Sequence, residues 1–151
     1  MTTLHPSPAP ALLRQATRAD IPGMHRVRRA VRENPLTSDV IREAHYIPAI
    51  EDTGRGWVME DQESGEVLAF AVGNAQTGNI WALFVDPAHE GRGFGRRLQT
   101  EMVSWLFSQG LERLNLGTAP GTRAEAFYRA TGWTYLGIDA HGEASFEMRR
   151  G

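Results

Sequence analysis

The sequence contains neither cysteine nor lysine in its 151 residues. Without cysteine the chain cannot form a disulfide, present a thiolate nucleophile or bind a metal through sulfur. Without lysine it cannot form a Schiff base, and it has no internal lysine that could be acetylated. The absence of lysine also excludes a Walker A phosphate loop, which needs that residue after its last glycine.

Histidine is present, but its pattern does not indicate a metal site. The five histidines are scattered and never take the HxxxH or HExxH spacing of a metal-binding helix. A metal is therefore not expected. The residues concerned are His5, His25, His45, His89 and His141.

Long apolar runs and targeting signals are also missing. No run approaches the ~18 residues that are needed to cross a membrane. Residues 1–10 lack the basic start and the apolar core of a secretory signal, and their prolines predict a disordered lead-in. We expect a cytoplasmic protein that does not bind membranes.

The overall composition is that of one soluble globular domain. The chain has 41% hydrophobic and 23% charged residues and a formal net charge of -2. We assign residues 11–151 to a single domain, because this length suits one hydrophobic core. A chain without an overall basic field is not expected to bind nucleic acid.

The stretch from Asn79 to Gln109 predicts a strand, a glycine loop and a helix. NIWALFV is a short apolar run, DPAHE turns the chain, and GRGFG places three glycines at alternate positions. The residues that follow carry an apolar stripe at three- to four-residue steps, as one face of a helix does. Gly110 is expected to end that helix. The stripe consists of Phe94, Leu98, Met102, Trp105 and Leu106.

Arginines at the start of this helix indicate an anion site. Arg92, Arg96 and Arg97 lie where the helix macrodipole is positive and disfavours cations. Glycines let backbone N–H groups point into a concavity, and a helix start adds further free donors. The alternative is that Arg97 pairs with Glu101 while the other two arginines are solvated. The spacing does not fit a dinucleotide fingerprint, whose third glycine comes one residue later.

The segment VDPAHEGRGFGRRL resembles the acetyl-CoA loop of the GNAT superfamily, the acetyl-CoA-dependent N-acyltransferases. The strand exit of that family reads VxPxxxGxGxGxxL, and Gly93 and Gly95 fill the glycine positions of its loop pattern. Glu90 departs from the pattern, because the family has glutamine or arginine there. A carboxylate at this position would repel a pyrophosphate.

A second segment, TAPGTRAEAFYRATGW, resembles the other signature of the family. That signature has an asparagine, an alanine, a Phe/Leu-Tyr pair and then a glycine followed by an aromatic residue. Gly121 stands where asparagine is common, so one polar contact to the cofactor is expected to be missing. The matching residues are Ala124, Phe127, Tyr128, Gly132 and Trp133.

The resemblance covers nearly the whole chain from Ala11 and implies an α/β (α+β) fold. We expect a GNAT-like mixed, mostly antiparallel sheet of six to seven strands with about four helices. The implied fourth and fifth strands, Asn79 to Val85 and Leu114 to Gly117, splay apart and expose backbone groups that an extended pantetheine arm can satisfy. Apolar periodicity also predicts a first helix from Ile21 and a second helix that ends at Pro48.

The resemblance also implies roles for individual residues. In the implied site, the main chain of Leu83, Phe84 and Val85 holds the pantetheine and polarises the acetyl carbonyl. Tyr128 is the candidate acid for the coenzyme A thiolate, the alternative being that it is a packing aromatic. Amides and side chains of the glycine loop hold the pyrophosphate of acetyl-CoA, namely Gly91, Arg92, Gly93, Phe94, Gly95 and Arg96.

The sequence does not single out a general base. The implied fourth strand carries no acid, and Trp81 on that strand is expected to shape the pocket instead. A chain of water molecules is one alternative. The side chains that remain conceivable as bases are Glu60, Asp86, Asp139, His141 and Glu143.

The acceptor is equally open. In the family, the segment between the first two helices forms one wall of the acceptor site. Candidates here for touching an amine are Glu33, Asp39, His45 and Tyr46, each with a surface or capping role as the alternative. The first helix carries a row of arginines that predicts a solvated face or, alternatively, a basic rim for an acidic substrate. That row consists of Arg26, Arg28, Arg29 and Arg32.

These features together predict an acetyl-CoA-dependent N-acetyltransferase. We expect direct transfer of an acetyl group to a primary amine of a small molecule or peptide within a ternary complex. A second hypothesis is a domain of the same fold that binds acyl-CoA as a sensor without catalysis. A third is a structural partner module that binds no coenzyme A. A homodimer, common in the family, is left open by the sequence.

Overall fold

The computed structural model describes residues 10–31 and 42–151. Within these ranges the chain forms seven strands and four α-helices. The predicted loop from Glu33 to Asp39 and all of the predicted lead-in except Pro10 lie outside the described residues. In chain order the elements are β1 (Ala11–Gln15), α1 (Ile21–Ala30), α2 (Tyr46–Glu51), β2 (Gly54–Asp61), β3 (Val67–Asn74), β4 (Ile80–Val85), α3 (Phe94–Ser108), β5 (Arg113–Thr118), α4 (Arg123–Ala130), β6 (Thr134–Ile138) and β7 (Ala144–Arg149).

The strands form two antiparallel sheets that meet at one point. The first sheet has the order β1-β2-β3-β4, and the second has the order β5-β7-β6. Among the described residues, a parallel bridge between Asn79 and Asn115 connects the two sheets. Beyond this bridge β4 and β5 are not paired. The predicted fold, mixed and mostly antiparallel with a splay between strands 4 and 5, is therefore confirmed.

Short polar turns explain why β2, β3 and β4 run antiparallel to one another. The side chains of Asp61 and Asn74 accept hydrogen bonds from backbone amides two and three residues further on. Gly65 and Gly78 close these turns with positive φ angles. Strands joined by such short turns pair with their predecessors. As a result β4 lies at the edge of the first sheet, and its outer side faces β5.

Apolar side chains cover both faces of the first sheet. On one face α3 packs through Leu98, Met102 and Leu106, which are fully buried. The helix approaches so closely that a Cβ on Gly73 would lie 2.9 Å from the Leu106 Cδ1 atom. On the other face α1 and α2 form a second cluster that includes Met24. The edge strand β4 is therefore supported from both sides.

Pro48 does not end the second helix, so this part of the sequence prediction is wrong. It is the third residue of α2, which continues to Glu51. Proline is tolerated at this position because the N–H groups of the first helical turn have no intrahelical acceptor.

Candidate active site

β4 and β5 diverge from a polar junction at residues 77–79 and 115, and we call the space between them the fork. At its closed end the backbone N–H of Asn115 donates to the carbonyl of Gly78 at 2.9 Å. The Nδ2 atom of Asn79 donates to the Oδ1 atom of Asn115 at 2.9 Å, and the Asn115 side chain donates to the Thr77 carbonyl at 3.2 Å. These bonds fix the strands at their N-terminal ends and leave their C-terminal ends apart.

The register of β4 against β3 decides which of its backbone groups face the gap between β4 and β5. Directly after the strand, the N–H of Asp86 donates to the carbonyl of Leu68 at 2.9 Å. Successive residues of an antiparallel strand point their N–H and C=O groups to opposite sides. Phe84 therefore faces β3, whereas the polar backbone groups of Leu83 and Val85 point towards the gap. The predicted main-chain contacts at Leu83 and Val85 fit this register, and the one at Phe84 does not.

A cleft of about 1090 Å³ fills the fork and extends along the glycine loop. Its walls come from the end of α1, β4, the glycine loop, the end of β5, the start of α4 and the β6–β7 hairpin. This volume is at the upper end of the range for ligand pockets. Seven of the nine residues predicted to bind the cofactor line the cleft: Leu83, Phe84, Val85, Gly91, Gly93, Phe94 and Gly95.

The glycine loop and the first turn of α3 offer backbone donors to this cleft. Gly91 and Gly93 both have a φ of 80°, in the left-handed region that favours glycine. Gly93 is the N-cap residue of α3, and no side chain caps the helix. The first N–H groups of an α-helix have no intrahelical acceptor. Those of the turn that starts at Phe94 can therefore bind an anion, aided by the positive end of the macrodipole.

The arginines beside this loop do not line the cleft. The guanidinium of Arg92 lies 4.6 Å from the centre of the Phe94 ring and 3.1 Å from the Nδ1 atom of His89, so this side chain folds back on the loop. Arg96 is exposed on α3. The ion pairs of the described residues do not include one between Arg97 and Glu101.

Glu90, which departs from the family pattern, forms an ion pair with Arg123. Arg123 is the first residue of α4, and both residues line the cleft. The pair offsets the negative charge that the sequence places beside the anion site. Sequence reasoning missed Arg123, because the pair joins positions 33 residues apart. One feature of the sequence could have indicated its role: Arg123 is a cation in the first turn of a helix, where the macrodipole disfavours a positive charge.

Asp86 holds the turn that leads from β4 into the glycine loop. Its carboxylate accepts hydrogen bonds from the backbone N–H of Ala88 at 2.9 Å and from the Arg26 Nη1 atom at 3.0 Å. Burial by itself would raise the pKa of Asp86, but these hydrogen bonds and the charge of Arg26 lower that pKa overall. The carboxylate is ionised and engaged in the loop, which makes it a poor general base.

Tyr128 lines the cleft from the side of α4. The residue is 6% exposed, and its ring centre lies 5.4 to 5.9 Å from those of Phe127, Trp133 and Phe146. Burial raises the pKa of Tyr128 above its ordinary value, so the phenol stays protonated at neutral pH. The structure thus holds a protonated hydroxyl beside the gap, on a phenol ring that is packed among other aromatic side chains.

Of the other conceivable bases, only Glu143 belongs to the described lining of the cleft. Glu60 is paired with Arg14 of β1. Asp139 accepts hydrogen bonds from the backbone N–H groups of His141 and Glu143 and so stabilises the β6–β7 hairpin. His141 is exposed in that hairpin.

The two predicted acceptor contacts that the structure describes, His45 and Tyr46, do not line the cleft. Glu33 and Asp39 lie outside the described residues. His45 is exposed and lines a separate cavity of about 230 Å³. Tyr46 is fully buried. Trp81 lines both cavities, in agreement with its predicted role in shaping the pocket.

Arg28 contradicts the prediction of a solvated arginine face on α1. It is 2% exposed, and its guanidinium carbon lies 4.8 Å from the ring centres of both Trp81 and Phe84. Its Nε atom donates to the Tyr46 hydroxyl at 2.9 Å. Aromatic faces attract a cation and so offset part of the cost of burying it. Arg28 and Arg29 both line the cleft, and they make the end at α1 cationic.

The sequence model of the acetyltransferase (GNAT) family matches residues 21–133, which include the glycine loop and Tyr128. The chain belongs to the GNAT family. This assignment confirms the predicted family and, at the level of the family, the acetyltransferase class.

This GNAT protein is similar in sequence to a known enzyme and similar in fold to proteins of solved structure. A mycothiol acetyltransferase from Beutenbergia cavernae is 35% identical over 88 residues, which are 56% of this chain and 30% of that protein. The chain thus spans about 30% of the length of that relative. The PaiA N-acetyltransferase from Thermoplasma acidophilum, in complex with coenzyme A, has a TM-score of 0.71 at 11% identity, covering 93% of this chain and 99% of that chain. An N-acetyltransferase from Staphylococcus aureus has a TM-score of 0.77 at 17% identity, with coverage of 93% and 99%.

No helix in the described part of this GNAT protein has the length and apolar character needed to cross a bilayer. The described residues also contain no group of three or more histidines and carboxylates placed to hold a metal ion.

Proposed function

We propose that this protein is an acetyl-CoA-dependent N-acetyltransferase that acetylates a primary amine of a small molecule or peptide by direct transfer in a ternary complex. The observation that carries the proposal is the fork between β4 and β5. The backbone groups of Leu83 and Val85 point into it, and it continues to the free donors at the start of α3. One elongated ligand with amides in its arm and a diphosphate at its end matches this order of groups.

Acetyl-CoA supplies the activated acyl group, and the chain supplies its placement. The glycine loop and the first turn of α3 would bind the diphosphate at the outer end of the fork. The edge of β4 would pair with the pantetheine amides, as an added strand pairs with a sheet. The inner end of the fork is then left for the thioester. The N–H of Leu83 points into the gap at that end and can stabilise an oxyanion.

Tyr128 supplies the acid that the leaving thiolate needs. It lines the same cleft and remains protonated at neutral pH, so it can donate within hydrogen-bond reach. Direct transfer is favoured over a thioester intermediate on the protein, because the chain has no cysteine. The end of the cleft at α1 leaves room for the acceptor beside the cofactor.

Two measurements test this proposal. Titration calorimetry is expected to show saturable acetyl-CoA binding, and no heat together with no thermal shift at millimolar acetyl-CoA would reject it. The second measurement follows free thiol release from acetyl-CoA with amino acids, polyamines, aminoglycosides and peptides that have a free N-terminus. Binding without thiol release from any amine would favour the sensor hypothesis instead.

Glu90→Gln is expected to raise the affinity for acetyl-CoA by about two- to fivefold. The substitution removes a negative charge beside the proposed diphosphate site and releases Arg123 from its ion pair with Glu90. Arg123→Ala is expected to lower the affinity by a similar factor. Calorimetry at low and high salt measures both changes, which shrink as salt screens the charges.

The control for this pair of variants is Glu51→Gln, since Glu51 also pairs with an exposed arginine, Arg18, but lies outside the cleft lining. Its affinity for acetyl-CoA is expected to equal that of the wild type. If Glu90→Gln weakened binding, the proposed position of the diphosphate would be wrong.

A further inference from the structure

Glu143 lies in the cleft on the face of the second sheet that the apolar core does not cover. It directly precedes β7, in which Ala144 and Phe146 are fully buried in the cluster formed with α3. Side chains alternate between the two faces of a strand. Glu143 therefore points away from α3, towards the side on which the end of α1 lines the same cleft.

The sequence of β5 makes room for the Glu143 carboxylate. A Cβ built on Gly117 would lie 2.7 Å from the Glu143 Oε1 atom, so any other residue at this position would displace the carboxylate. Leu116 and Thr118, on either side, are buried. At Gly117, therefore, β5 has no side chain on the face that points towards α1. The carboxylate lies against that backbone, inside the fork.

The other carboxylates that line the cleft are engaged in ion pairs. Asp86 is bound by Arg26, and Glu90 is bound by Arg123. Among the described residues, the carboxylate of Glu143 forms no ion pair or hydrogen bond. It is thus the lining carboxylate that can accept a proton from a ligand without losing a structural contact.

We propose that Glu143 is the general base of the transfer, a role that rests on the function proposed above. Primary amines have pKa values of about 8 to 10 and are protonated at neutral pH, so one proton must leave before the nitrogen can attack. Tyr128 belongs to the apolar cluster on the α3 side, whereas Glu143 lies on the α1 side. Base and acid flank the gap from opposite faces, and the amine enters from the α1 side.

The proton transfers balance across the reaction. Glu143 takes one proton from the acceptor ammonium, directly or through one water. The nitrogen lone pair forms a C–N bond to the thioester carbonyl carbon, the C–S bond breaks, and the sulfur leaves with its electron pair and takes the Tyr128 proton. The new amide nitrogen loses a second proton, which restores the phenol through solvent. The net reaction releases the one proton that Glu143 took.

Glu143→Gln tests this role because it keeps the size of the side chain and removes its basicity. The assay uses acetyl-CoA and the amine that gives the fastest thiol release in the screen described above. We expect kcat/KM for that amine to fall about 100-fold or more, with an unchanged calorimetric Kd for acetyl-CoA. Glu143→Asp retains a carboxylate with a shorter reach, and its loss is expected to be smaller.

Gly117→Ala provides a second test that leaves Glu143 in place. The added methyl group must displace the carboxylate, so kcat is expected to fall. The melting temperature is expected to stay near that of the wild type, because the displaced atom is the end of a flexible side chain. The matched control is Glu147→Gln: Glu147 lies on the same face of β7 but pairs with Arg113 and Arg149 outside the cleft lining. It is expected to turn over like the wild type.

The outcomes separate this inference from the proposed function. Wild-type turnover in Glu143→Gln would overturn the role of Glu143 and leave the acetyltransferase standing. Equal losses in Glu143→Gln and Glu147→Gln would also overturn it, because the effect would not be specific to the cleft. If the wild type bound no acetyl-CoA or released no thiol with any amine, both proposals would be overturned, since no transfer would need a base.

Discussion

Replacing Tyr128 with phenylalanine is expected to lower kcat about 100-fold, while the Kd for acetyl-CoA stays at the wild-type value. The substitution removes the hydroxyl that would protonate the departing thiolate. It keeps the ring, whose contacts with Phe127, Trp133 and Phe146 position α4. Steady-state thiol release measures kcat, and calorimetry measures the Kd.

The burial of Tyr128 adds a pH dependence to this expectation. Burial raises the pKa of the phenol, so the acid stays protonated as the pH rises through the neutral range. In the wild type, ionisation of Tyr128 should therefore cause no fall of kcat below the ordinary phenol pKa of about 10. A fall in that range that vanished in Tyr128→Phe would contradict the argument from burial.

Tyr135→Phe is the matched control for Tyr128→Phe. Tyr135 of β6 also packs on Phe146, with ring centres 5.4 Å apart, but it does not line the cleft. Its loss of the hydroxyl should leave kcat unchanged. If Tyr128→Phe retained full turnover as well, Tyr128 would be a packing aromatic, which was the alternative that the sequence left open.

Leu83→Pro is expected to lower kcat by about 100- to 1000-fold, because proline has no N–H to donate to an oxyanion. The N–H of Leu83 points into the gap, so its removal takes no hydrogen bond from the pairing of β3 with β4. Proline is tolerated at a sheet edge when the missing N–H faces away from the neighbouring strand. Thiol release measures kcat, and thermal unfolding checks that the sheet persists.

Two variants of the same strand separate the N–H from the side chain. Leu83→Ala removes the packing of the leucine and keeps the N–H, so it should retain most of the turnover. Phe84→Pro removes an N–H that faces β3 and should lower the melting temperature instead. Equal kcat values for Leu83→Pro and Leu83→Ala would show that the N–H of Leu83 takes no part in catalysis.

The elements of the fold could be predicted where their causes are local. The helix start after Gly93 and the helix end at Gly110 each depend on residues a few positions apart. The sequence also indicated most of the cleft lining, because the strand, glycine loop and helix follow one another along the chain. Pro48 was misread because its effect depends on its position within the helical turn.

The sequence by itself determined the glycine loop and the helix that follow β4, and it placed Tyr128 on the helix after β5. The tertiary structure decided which charges act in the cleft: it buried Arg28 among aromatic rings, paired Glu90 with Arg123 and placed Glu143 against Gly117. The physical reason is the separation along the sequence of the residues that interact. Periodicity, turns and helix caps are set by near neighbours, whereas the partner of a charge depends on which distant segments the packed sheets bring together.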